Sequence, residues 1–184
     1  MRVIRTKYFL EMTSAAELVP GREPPSAVEW CALTDAQRGE AADVFHHVGH
    51  PYGWTRREDA APGRGRAWQG WLPTVDGRVA GLVELDADGD GSVEISTFGL
   101  ASEFVGLGYG GHVLTVATEL AWAFAAGDMR VRRVWLTTTS LDHPNALSNY
   151  LRRGFRQFDA VVEEKDVPVE VLARSHPELL PQPE

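Results

Sequence analysis

The chain has 184 residues and a mass of 20.3 kDa, enough for one domain with a sizeable core and awkward for two. Its 43% hydrophobic and 24% charged residues exclude a wholly disordered or fibrous chain. A formal charge of −8 and a pI of ≈ 5.2 argue against a nucleic-acid partner, since an acidic surface repels phosphates, and weakly favour cations such as amines.

The one cysteine, Cys31, excludes an internal disulfide. The opening Met1-Arg2-Val3-Ile4-Arg5 lacks the continuous apolar core of a signal peptide. The most apolar helical stretch, residues 113–126, is shorter than a membrane span and carries Glu119. The expectation is a cytoplasmic chain with no membrane partner.

Residues 3–12 alternate Ile4, Thr6, Tyr8, Leu10 and Met12 against Arg5, Lys7, Phe9 and Glu11, the period of a strand. Pro20, Gly21, Pro24 and Pro25 then make a connector that neither helix nor sheet tolerates. Residues 28–33 read as a short strand. Thr34 with Gln37 three residues on is a capping-box signal, and the helix it opens carries Ala41, Val44, Phe45 and Val48 on one stripe. Residues 49–66, with a Gly/Pro cluster at each end, read as loop.

Residues 67–73 and 78–85 form a hairpin across Asp76-Gly77. A turn over 86–92 leads to a strand over 93–100, where Gly99 suggests a bulge. A helix over about 112–126, a β-branched strand over 131–139, a helix opened by Pro144 and closed by Gly154, and a strand over 155–164 follow. This order predicts one α+β domain over residues 1–184: a mostly antiparallel, twisted sheet flanked by helices. Residues 1–25 are its N-terminal extension and connector, and 166–184 a frayed tail.

Gly106-Leu107-Gly108-Tyr109-Gly110-Gly111 stands between a strand and a helix. Glycines admit positive φ and close backbone approach, and free N–H groups at a helix start attract anions, so a pyrophosphate suits the turn. The alternative is a glycine turn that only packs the helix on the sheet. A Walker A loop is excluded, because no Lys-Ser/Thr pair follows. Asp86-Ala87-Asp88-Gly89-Asp90-Gly91 imitates half a calcium loop, but Thr97 stands where the bidentate Glu belongs, so an acidic hairpin turn is expected. His46 and His47 have no matching Cys or Asp partner and read as helix-surface residues, so no metal is expected.

The run from Glu94 through Phe98, Gly99 and Leu100 to Val105, Gly106, Gly108, Tyr109, Gly110 and Gly111 resembles the acetyl-coenzyme A motif of the GNAT superfamily of N-acetyltransferases. Gly108 and Gly110 stand in register, and Val105 occupies the position of a usual Gln or Arg. Downstream, Ala146, Tyr150, Gly154 and Phe155 fit a second family motif, with His143 at its Asn position and Asn145 two residues later. Order and spacing agree over residues 28–158.

The resemblance implies a sheet of about six to seven strands with about four helices, plus an extra N-terminal strand. It implies acetyl transfer from acetyl-CoA to a primary amine by direct attack in a ternary complex. Phe98, Gly99, Leu100, Val105, Gly106, Gly108, Tyr109, Gly110, Gly111, His143 and Asn145 would hold acetyl-CoA. Glu94 would be the general base and Tyr150 the general acid. Solvated-strand and core-packing readings remain open for these two.

From the residues alone, a turn centred at Gly89 puts Glu84 directly opposite Glu94, where one carboxyl would lose acidity. Glu84, Tyr52 and Trp54 are candidate acceptor-binding residues, with Trp68 and Trp71 as further aromatics. The acceptor is a small-molecule or protein amine, and a homodimer is left open. The rivals are a non-catalytic CoA-binding regulatory module, against which Tyr150 and Glu94 speak, and a nucleotide-binding domain using the same glycines.

Overall fold

The computed structural model describes residues 1–55, 67–125 and 127–181. The N-terminal alternation forms β1 (Arg2–Met12), and after the proline-rich connector comes β2 (Glu29–Leu33). The capping box is formed, Gln37 Oε1 accepting from the Thr34 N–H at 3.1 Å, and a short 3-10 turn runs into α1 (Arg38–Gly49). Then follow β3 (Ala67–Val75), β4 (Arg78–Val79), β5 (Gly81–Ala87) and β6 (Ser92–Leu100). The hairpin turn at Asp76 and Gly77 has both φ angles positive, at 51° and 72°, as a tight turn of this type requires. Next are α2 (Tyr109–Trp122), β7 (Arg133–Thr139), α3 (Ala146–Arg152), β8 (Arg156–Asp166) and α4 (Val169–Ser175).

Among the described residues, eight strands form one sheet in the order β2-β3-β5-β6-β7-β1-β8, with β4 on β3. All pairings are antiparallel except β6 with β7. The architecture is therefore the expected α+β one, with one strand more than the upper expectation. β1 is built into the sheet: it lies between β7 and β8 and pairs with both.

Period two divides the sheet into two faces. On one, Leu10, Leu85, Val93, Val134 and Leu136 pack against Val113, Leu114 and Ala117 of α2, all fully or almost fully buried. This is the main core. On the other, a smaller cluster of Leu33, Leu72 and Leu82 receives Ala41 and Phe45 of α1. Val44, Trp54 and Trp68 pack beside it, and Glu84 and Asp86 stand on the same face.

Three expectations change. The tail does not fray over 167–181: α4 buries Val171 and Leu172 against Val3, Leu141 and Val167. Burial of two such side chains is worth roughly 1.5–3 kcal/mol each, which outweighs the ordering of a short segment. α2 begins at Tyr109, earlier than periodicity suggested, because glycines are tolerated in its first turn. The break in β6 is not at Gly99, which pairs regularly with Leu82; the register slips at Ser96, between Leu85↔Ile95 and Glu84↔Thr97.

Candidate active site

β6 and β7 pair only where Ser92, Val93 and Glu94 meet Arg133, Val134 and Trp135. Beyond that point β6 keeps β5 on one side, β7 keeps β1 on its other side, and the two strands part. The gap opens into a cleft of ≈ 1050 Å³. Phe98, Gly99 and Leu100 line one wall of it, and Thr137, Thr138 and Thr139 the other. A parted parallel pair leaves main-chain N–H and C=O groups facing the gap, ready for an amide-bearing chain.

The glycine turn stands at the end of this gap. Gly106 has φ +80° and Gly108 φ +96°, in the left-handed region that L side chains rarely adopt, and Gly108 caps α2. The first-turn N–H groups of α2 have no partner within the helix, and its dipole makes the position attractive to anions. Val105, Gly106, Gly108, Gly110 and Gly111 all line the cleft. The turn is braced from behind: Asn149 Nδ2–H donates to the Gly110 carbonyl at 3.2 Å, and the Gly21 N–H to Thr115 Oγ1 at 2.8 Å. Tyr109 is the exception among the expected cradle residues. Its ring is buried against Phe104 and its hydroxyl bonds Ser26 at 2.7 Å, so only its backbone is available to a ligand.

Tyr150 projects from α3 into the cleft wall, 6% exposed, between Phe98 and Phe155. Burial, with the nearby Asp142 carboxylate, pushes its phenol well above the ordinary value of 10.0. It therefore stays protonated throughout the neutral range. Core packing and a place in the cleft hold together for this residue. His143 and Asn145 line the cleft just before α3, the Asn145 N–H donating to His143 Nδ1 at 3.1 Å.

The expected Glu84–Glu94 opposition does not occur. Glu84 faces Thr97, and Glu94 faces Asp86, because the hairpin is centred at Asp90, one residue beyond Gly89, and the extra residue at Ser96 then shifts Glu84 one place further. Glu84 stands in the cleft wall, 4% exposed; its Oε2 accepts from Thr97 Oγ1 at 2.7 Å and its Oε1 from Trp68 Nε1 at 3.3 Å. Asp86 also lines the cleft, whereas Glu94, opposite Asp86 on the same face and 2% exposed, stands where β6 and β7 are still paired.

On the same face Phe45, Tyr52, Trp54 and Trp68 form an aromatic wall. Trp71 points the other way, into the main core. Trp54 is closely fitted: a Cβ at Gly49 or at Gly99 would collide with its ring or stem. Gly99 therefore serves close approach rather than a bulge. His46 is exposed on α1 but reaches the cleft, and His47 lies 3.7 Å from Glu103 on the surface. At the Asp86–Ser92 turn, the Asp90 side chain accepts the Ser92 N–H at 2.8 Å.

Sequence reasoning missed four contributors. Arg5 and Lys7 reach the cleft only because β1 is inserted beside β7. Thr97 was passed over. Asp142, which accepts from Trp54 Nε1, Thr138 Oγ1 and the Thr139 N–H, was readable only as a turn aspartate before Pro144.

A family model described as acetyltransferase (GNAT) family matches residues 30–155. Among curated proteins nothing matches. Among solved structures, a GCN5-related N-acetyltransferase from Kribbella flavida superposes with a TM-score of 0.57 at 21% identity, over 89% of this chain and 58% of that one. One from Sphaerobacter thermophilus gives 0.56 at 17% identity, over 88% and 51%. A tandem GNAT protein from the clavulanic acid biosynthesis pathway gives 0.60 at 15% identity, over 86% and 52%. The chain thus spans little more than half the length of these structures, and at such identities the likeness is one of fold. The parted β6–β7 pair, the left-handed glycine turn capping α2 and a family match over most of the sequence agree: the chain belongs to the acetyltransferase (GNAT) family.

Proposed function

We propose that this protein transfers the acetyl group of acetyl-CoA to a primary amine by direct attack, with both substrates bound at once. The observation that carries the reading is the gap between β6 and β7 ending at the Gly106–Gly108 turn. A phosphate fits there because positive φ keeps side chains out of the turn while α2 aims free N–H groups outward. Any Cβ at Gly106 would stand in open space, so its absence serves a ligand or the backbone angle, not internal packing. The thioester supplies an activated acyl carbon; the protein supplies alignment and two proton transfers.

The amine approaches from the α1 face, where Tyr52, Trp54 and Trp68 flank the carboxylates. Attack forms the C–N bond and breaks the C–S bond. The nitrogen loses a proton to a carboxylate, and the departing sulfur gains one from Tyr150. Glu84 lines the cleft, whereas Glu94, the residue suggested by the family motif, stands where β6 and β7 are still paired, so we assign direct contact with the amine and its proton to Glu84. Thr97 and Trp68 hold one oxygen each and fix the carboxylate's aim. Glu94 is assigned a supporting place. The buried phenol of Tyr150 is the donor because its packing between two rings holds its direction.

A panel of amines incubated with acetyl-CoA, with free CoA read by its thiol, tests the proposal. Amine-dependent thiol release with matching N-acetyl product supports it. Binding of acetyl-CoA with no turnover of any amine would instead favour a CoA-binding regulatory module.

A further inference from the structure

The acceptor wall and the strand on the far side of the gap are joined through one side chain. Asp142 Oδ1 accepts from Trp54 Nε1 at 2.9 Å, reaching 88 residues back along the chain. Its Oδ2 accepts from Thr138 Oγ1 and from the Thr139 N–H, both at 2.7 Å. Thr138 and Thr139 are the last residues of β7, beyond the point where it leaves β6. Trp54, at the other end of the link, packs on Phe45 and Tyr52 and sits against Gly99 of β6. A single carboxylate therefore connects β6, through Trp54, to the end of β7 that β6 no longer pairs and β1 still does.

We propose that Asp142 is a positioning residue that sets the aromatic acceptor wall against the end of β7 and so against the bound thioester. The inference rests on the acetyl-transfer reading. Three charge-assisted donors on one carboxylate make a stiff joint, stronger than neutral hydrogen bonds would be. Removal of any one member lets the wall or the strand end shift without unfolding the core, which lies on the other face. The same charge acts on the two phenols beside it. Both Tyr52 and Tyr150 ionise above their ordinary range, burial being the larger cause and Asp142 the second. Among the described residues, the other titratable or charged groups around the Tyr52 turn are His143, 6.3 Å from its ring, His50, Arg174, which donates to the His50 carbonyl, and Glu170 in the same cleft.

The test uses the full chain and two conservative variants. Trp54→Phe keeps a ring in its fitted slot and deletes the N–H. Asp142→Asn keeps the shape and deletes the charge and one acceptor. In the ligand-free protein, the Thr139 amide should exchange with solvent faster in Asp142→Asn. With ¹³C-labelled tyrosine, Tyr52 should ionise at lower pH in Asp142→Asn and at the parent pH in Trp54→Phe. On an amine found in the panel, both variants should keep acetyl-CoA affinity close to the parent's while kcat falls roughly 10- to 100-fold, the cost of a small misalignment. A purely structural role would instead lower melting temperature and affinity together.

Folded variants that bind acetyl-CoA and keep full kcat overturn the positioning role and leave the proposed function standing. An unmoved Tyr52 titration in Asp142→Asn overturns the electrostatic part. A parent chain that fails to bind acetyl-CoA overturns the function, and the positioning role falls with it.

Discussion

The two faces of the sheet use the same strands for opposite ends. On the α2 face, Leu10, Leu85, Val93 and Leu136 are shut away from water in the main apolar cluster. On the α1 face, one residue along in each strand, stand Phe9, Glu84, Asp86, Glu94 and Thr137. Alternation makes this division cheap, because a strand can present a dry side and a chemical side at once. The comparison teaches that the stability of the molecule and its proposed chemistry are separable by substitution.

The largest expected effect breaks the chemical face alone. Glu84→Gln should cut acetyl transfer by roughly 10²–10⁴-fold, the range for a lost general base, with the melting temperature nearly unchanged. Glu94→Gln, where β6 and β7 are still paired, should cost clearly less. If Glu94→Gln is the more damaging of the two, the base is Glu94 and the assignment to Glu84 fails. Leu136→Ala should do the reverse. It opens a cavity in the dry face and should cost about 2–5 kcal/mol of stability while leaving acetyl-CoA affinity in the folded fraction intact. Chemical denaturation with calorimetric binding on the same samples checks both halves.

Tyr150→Phe sits between the faces, since the ring packs and the hydroxyl reacts. Rates should fall with acetyl-CoA affinity preserved, because the ring contacts with Phe98 and Phe155 survive. The raised phenol also predicts that no alkaline loss of kcat attributable to Tyr150 occurs up to its ordinary value of 10.0. A kcat unchanged in Tyr150→Phe would leave it as packing only. The smallest effect concerns Val105, in the cleft wall where the family motif usually has Gln or Arg. Val105→Arg should tighten acetyl-CoA only modestly, since the main chain already makes the cradle.

Much of the fold was legible because its signals are local. The alternation of Ile4 to Met12, the capping pair Thr34 and Gln37, the Asp76-Gly77 turn and the glycine run before α2 each specify an element unaided. What escaped reading depends on contacts distant in sequence. A hairpin centred at Asp90 and a slip at Ser96 together place Glu84 opposite Thr97 and not Glu94, and no local pattern reports either shift. The place of β1 between β7 and β8 is a matter of topology, yet it brings Arg5 and Lys7 to the cleft. α4 looked like tail because a short helix carries little periodic signal; its burial is tertiary. The glycine cradle was readable from its residues, whereas the Asp142 joint required the folded chain.

The central claim is that the parted strands and the glycine turn together hold acetyl-CoA. Calorimetric titration of acetyl-CoA into the parent chain and into Gly108→Glu tests it most directly. The account predicts one saturable site in the parent, displaced by CoA but not by ATP or NAD. It predicts no binding in a folded Gly108→Glu variant, where bulk and negative charge enter a turn held at φ +96°. No binding to the parent at millimolar acetyl-CoA, or equal affinity in the variant, would contradict it.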